Sequence, residues 1–139
     1  MKQITIIGMF IFLFAGCTQS TGSGIDNKAM LPTNDAEVQV YYFYGKLRCE
    51  TCIALQKVSG EAIAENFANN KDVAFQEVDF SERANAALAE KYEIVFSSLV
   101  IANGEEHKDI TGEAFALVMG DPAKLKDFIV QETNAFLSE

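Results

Sequence analysis

The sequence predicts an α/β fold, a single domain with a central mixed β-sheet flanked by helices, and three observations carry that expectation. A run of β-branched and aromatic residues, Val38-Gln39-Val40-Tyr41-Tyr42-Phe43-Tyr44, is followed by a stretch with a helical apolar period. A second such run at residues 73–80 comes after that helix, and strand, helix, strand implies a parallel pair with a right-handed crossover. Residues 99–111 then hold two short strands around Asn103-Gly104, the dipeptide most typical of a two-residue hairpin turn, which adds antiparallel pairing. With 139 residues, 49% of them hydrophobic, there is room for one core.

The amino terminus reads as a targeting segment. Lys2 gives a positive start, and residues 4–14 form an apolar stretch of secretory-signal length, short for a bilayer span. It ends in Leu13-Phe14-Ala15-Gly16-Cys17, which is similar to the bacterial lipobox, with Phe14 where leucine is more usual. That resemblance implies cleavage after residue 16 and a lipid on Cys17. The other reading is an uncleaved apolar anchor with Cys17 as an ordinary residue; both hold the domain at a membrane, outside the cytosol. Residues 17–35, rich in Ser, Thr, Gly and Asn, read as a flexible tether, and the folded domain is expected at residues 36–139.

Beyond Cys49-Glu50-Thr51-Cys52, the residues Leu55, Val58, Ala62, Ile63 and Phe67 recur at three- and four-residue steps, so a helix begins near Cys49. Both thiols then lie in its first turn. There the free backbone N–H groups and the helix dipole favour a thiolate, and Lys46 and Arg48 add positive charge, which makes Cys49 the nucleophile. Cys52, turned toward the apolar stripe, is placed to attack a mixed disulfide at Cys49. After the strand at 73–80, Ser81 caps a helix with Ala84, Ala87, Leu88 and Tyr92 on its buried side. Residues 106–111 form the return strand of the hairpin, and 113–119 are apolar but ambiguous between helix and strand. Asp121 and Pro122 start a last helix, whose buried stripe is Leu125, Phe128, Ile129 and Phe136.

A strand that delivers a Cys-X-X-Cys pair onto a helix start resembles the thioredoxin superfamily. A second stretch agrees: Val78-Asp79-Phe80 through Lys91-Tyr92-Glu93-Ile94 looks like the segment running from that family's next strand to a helix ending in Lys-Tyr-X-Ile, and Gly112 falls where its pattern has a glycine after the hairpin. The resemblance implies a thioredoxin-like fold and a redox role for Cys49 and Cys52. With Cys17 of the three cysteines taken by lipid, those two remain as the only disulfide pair. Their loop is too short to act as a staple on the unfolded chain, which favours a redox-active bond.

Two family features are missing. The region that holds a cis-proline in thioredoxins is Phe96-Ser97-Ser98-Leu99, with Ser97 or Ser98 at that position; the only prolines are Pro32 and Pro122. The family's buried acid in the strand before the pair is also absent, and its place falls at Tyr42 or Phe43. Proton transfer at Cys52 would then need water, a tyrosine hydroxyl or a carboxylate from elsewhere. Glu50 opposes a thiolate and Thr51 can donate to one, so the intervening pair does not set a direction of electron flow.

The chemistry expected is thiol–disulfide exchange on protein or small thiol and disulfide substrates, with Tyr44, Lys46, Arg48, Ser97 and Ser98 as candidates along the approach. No cofactor and no metal site is implied, and the chain is expected to be a monomer at the bacterial cell envelope, facing the periplasm. Two other readings remain open: a soft, copper-like metal held by the same thiolates, and a non-catalytic interaction module clipped by the disulfide. His107 reads as a surface residue. With 11 basic against 20 acidic residues the chain is no partner for nucleic acid.

Overall fold

The computed structural model describes residues 35–138. The apolar leader, Cys17 and nearly all of the expected tether lie outside them. The elements run β1 (Val38–Tyr44), α1 (Glu50–Asn66), β2 (Val73–Asp79), α2 (Ala86–Lys91), β3 (Ser98–Asn103), β4 (Glu106–Asp109), α3 (Thr111–Val118) and α4 (Pro122–Leu137). They form a four-stranded sheet in the order β2-β1-β3-β4. β1 pairs parallel with β2 and antiparallel with β3, and β4 returns antiparallel on β3, so the sheet is mixed as expected.

Why β1 is apolar throughout follows from its place. It is central and covered on both faces, which removes the need for polar alternation. Val38, Val40 and Tyr42 face α1, α3 and α4, where they meet Leu55, Leu99, Ile101, Leu125 and Ile129. Phe43 faces the other way, onto Val78, Tyr92, Val100 and Ala102. Each large side chain so buried contributes roughly 1.5–3 kcal/mol, so the first cluster dominates stability and anchors α1. Lys126 of α4 adds exposed ion pairs to Glu61 and Glu65 of α1, both at 2.9 Å.

In α4, Asp121 accepts from the Lys124 N–H at 3.0 Å, Pro122 opens the helix, and Leu125, Ile129 and Phe136 are buried, with Phe128 half-buried. Four expectations need correction. Ser81 does not cap a helix: the Asp79 carboxylate takes its N–H at 2.8 Å and also its hydroxyl. A 3-10 turn at Arg83–Asn85 follows, which shifts the helical phase, so Ala84 and Ala87 are exposed while Ala89 and Tyr92 are buried. In the hairpin Asn103 pairs with Glu106, leaving Gly104 and Glu105 as the two-residue loop; Gly104 has φ +61, as the first central position of a II′ turn requires. The return strand stops at Asp109, because Thr111 already opens α3, and the ambiguous stretch is that helix. His107 is exposed on β4, edge-on to the Tyr92 ring at 5.0 Å. No helix among the described residues is long and apolar enough to cross a membrane.

Candidate active site

β1 and α1 are joined by five residues that end in Cys49. This residue is the N-cap of α1, with extended backbone, and its Sγ accepts the N–H of Cys52 at 3.1 Å. An N-cap acceptor takes one of the donors that a helix start leaves free, so the sulfur sits where partial positive charge gathers. Cys49 and Cys52 are joined in a disulfide with Cα atoms 5.0 Å apart. The two sulfurs live in different surroundings: Cys49 is exposed, whereas Cys52 is 8% exposed, on the core side of the first turn.

An open cavity of about 310 Å³ lies beside the pair. Its polar lining is Ser97 and the two cysteines; Leu47, Phe80, Phe96 and Phe115 give it apolar walls, with Gly45 among them. Leu47 is 93% exposed and Phe96 57%, so the rim offers apolar surface to solvent. Ser97 is the serine that faces the disulfide. Ser98 is buried away from the cavity, and its hydroxyl donates to the Phe96 carbonyl at 2.9 Å. All peptide bonds among the described residues are trans.

Lys46 and Arg48 are exposed and do not line this cavity. The Arg48 guanidinium lies over the Tyr44 ring at 4.6 Å, a cation–π contact that draws its charge toward the strand end. Tyr44 is half-buried and stacked with Tyr42. Tyr42 is the residue beneath the pair: it faces α1, is fully buried, and donates its hydroxyl to the Cys52 carbonyl at 2.6 Å. Phe43 points to the opposite face. Burial raises the Tyr42 pKa above 10.0, against the pull of Ser97 and Arg48, so the phenol stays protonated at neutral pH.

Leu47, Phe80, Phe96 and Phe115 are the cavity residues that the sequence reading did not single out. Leu47 alone carried a local signal, as an apolar residue between two cations; the others come from three distant segments. No group of three or more His, Cys, Asp or Glu placed to hold a metal occurs among the described residues.

Against solved structures, the chain is similar to a mutant thioredoxin from Halobacterium salinarum, at 30% identity and a TM-score of 0.50, over 73% of this chain and 79% of that one. The chain belongs to the thioredoxin superfamily. It is also similar in fold to the zinc-bound form of human ERp44, with a TM-score of 0.53 and 20% identity over 79% of this chain and 30% of that one. A further form of human ERp44 matches with a TM-score of 0.52 and 24% identity, over 80% of this chain and 28% of that one. This thioredoxin-fold chain therefore spans under a third of the length of those ERp44 chains. No protein-family model and no curated protein matches it. Membership of the superfamily and the closed Cys49–Cys52 bond together support a thiol–disulfide oxidoreductase kind of function.

Proposed function

We propose that this protein is a membrane-tethered, extracytoplasmic thiol–disulfide oxidoreductase, with Cys49 as nucleophile and Cys52 as resolving thiol. The observation that carries it is the asymmetry of the pair: one sulfur exposed at a helix N-cap, the other nearly buried three residues on, beside an apolar-walled cavity. The Cys49 thiolate attacks a substrate disulfide; a bond forms between Cys49 and one substrate sulfur, and the other leaves as a thiolate that takes up a proton. Cys52 then loses its proton and attacks the Cys49 sulfur, closing the pair and releasing the second substrate thiolate. The substrate gains two electrons and the pair loses two; substrate oxidation is the same path reversed. The open cavity supports protein or small thiol and disulfide substrates, and the lipobox-like run ending at Cys17 supports a lipid anchor facing the periplasm.

The test is equilibration of the full chain, in detergent, in graded thiol–disulfide buffers, with free thiols alkylated and the reduced fraction read by mass spectrometry. A reversible two-electron potential clearly above about −300 mV, the upper range of structural disulfides, is the expected result. A pair that stays oxidised in strongly reducing buffer overturns the proposal in favour of a structural clip. Cys49→Ser is expected to abolish exchange, Cys52→Ser to trap partners as mixed disulfides, and Cys17→Ala to remove the lipid mass and block cleavage of the leader, read by mass spectrometry of the full chain.

A further inference from the structure

The Tyr42 hydroxyl is a buried polar group at the redox turn that the exchange steps above leave without a part. Its backbone lies in the central strand, opposite Glu77 of β2 on one side and Leu99 of β3 on the other. From that fixed base the ring reaches under α1, and Oη donates to the Cys52 carbonyl at 2.6 Å. A carbonyl in the first turn already serves the helical ladder, so the phenol is a second donor on it, from outside the helix.

We infer that Tyr42 is a positioning residue for the resolving step: its hydroxyl ties the Cys52 turn to β1, so that the Cys52 sulfur stays in reach of Cys49 when the disulfide is open. The inference rests on the exchange mechanism proposed above. In the closed state the covalent bond fixes the two sulfurs by itself. Once it opens, Cys49 lies exposed at the helix boundary, and the turn that carries Cys52 is a helix end of the kind that frays. Intramolecular attack depends on how narrowly the attacking group is held, and a tie to a central strand narrows it. The first step is different in kind. Attack by Cys49 on an outside disulfide depends on the exposure and ionisation of Cys49, which its own place at the helix N-cap sets.

The two steps separate in one experiment on the full chain in detergent. Reduced wild type and Tyr42→Phe are equilibrated with oxidised and reduced glutathione, which yields the effective concentration of Cys52 toward the Cys49–glutathione mixed disulfide. Cys49 alkylation by iodoacetamide is timed in parallel. Tyr42→Phe keeps the ring and removes the hydroxyl, which also faces Ser97 and Arg48; effective concentration is expected to fall roughly tenfold while Cys49 alkylation stays within about twofold. An unchanged effective concentration overturns the inference, and so does an equal loss in both readings.

A second measurement needs no variant and covers the case of a variant that does not fold. In wild type the Tyr42 hydroxyl proton, followed by NMR, is expected to exchange slowly with solvent in both oxidised and reduced forms. Fast exchange on reduction means the tie breaks when it is needed, and the inference falls. If wild type forms no mixed disulfide with glutathione at all, the exchange mechanism itself fails and takes this inference with it; a normal wild type beside an unaffected Tyr42→Phe removes only the role of Tyr42.

Discussion

The backbone N–H of Leu99 donates to the hydroxyl of Thr111 at 2.8 Å, and both residues are buried. The Ile110 N–H returns to the Leu99 carbonyl at 2.9 Å, so the start of α3 completes the polar pairing of β3 just after Ser97 and Ser98. Thr111→Val keeps the shape and orphans a buried donor. It is expected to cost about 1–3 kcal/mol in urea unfolding with an unchanged m-value, while Thr111→Ser costs far less. A loss for Thr111→Ser with none for Thr111→Val would mean that the methyl group, and not the hydroxyl, does the stabilising.

Glu93 is the one non-glycine residue with positive φ among those described, at 55°. It ends α2 in a Schellman arrangement: Ile94 N–H to Ala89 carbonyl at 2.8 Å and Glu93 N–H to Glu90 carbonyl at 3.1 Å. An L side chain in that conformation costs roughly 1–2 kcal/mol, part of which glycine gives back through its freer unfolded state. Glu93→Gly is therefore expected to raise the thermal midpoint by a few degrees, and Glu93→Ala to leave it near wild type. A gain for alanine as large as for glycine would trace the effect to the lost charge.

A Cβ added at Gly45 would stand 2.8 Å from Cζ of Phe80, inside contact distance. Both residues line the cavity beside the disulfide, so the ring must turn to make room. Gly45→Ala is expected to slow reduction of a protein disulfide more than reduction of a small disulfide, because the larger substrate needs the wall where it stands. Phe80→Leu in the same chain should restore much of the lost rate. Equal slowing of both substrates would place the damage at the sulfurs.

What was legible in the sequence was whatever local chemistry decides. The Asp121 and Pro122 helix start, the helical period from Leu55 to Phe67 and the apolar run of β1 each depend on neighbours within a turn or a strand. The misplaced pieces were settled at longer range or between close rivals. The Asp79 carboxylate engages both the N–H and the hydroxyl of Ser81, which draws that hydroxyl away from a capping role. The hairpin loop moved by one residue because the pairing of Val38 with Asn103 holds Asn103 in the strand. Tyr42 and Phe43 were indistinguishable because both faces of β1 are buried, so alternation carried no sign of which one faces α1. The cavity walls come from four separate segments, which no period links.

Tyr41, Tyr42 and Tyr92 all have pKa values raised above 10.0, each chiefly by burial, with Tyr92 repelling an ionised Tyr41 and Glu105 an ionised Tyr92. A phenol charges on losing its proton, so a folded value above the unfolded one means that the folded state binds that proton more tightly. The resulting stability is fully present below pH 10 and is lost as pH rises through the folded values. Urea midpoints are thus expected to hold steady approaching pH 10 and to fall beyond it, with phenolate absorbance rising together with unfolding. Tyr92→Phe should flatten that fall by more than its own proton, since Tyr41 lies 5.6 Å away and loses the neighbour that resists its ionisation. A slope in Tyr92→Phe equal to that of wild type would show that the alkaline loss comes from other groups and that these rings release their protons without cost to the fold.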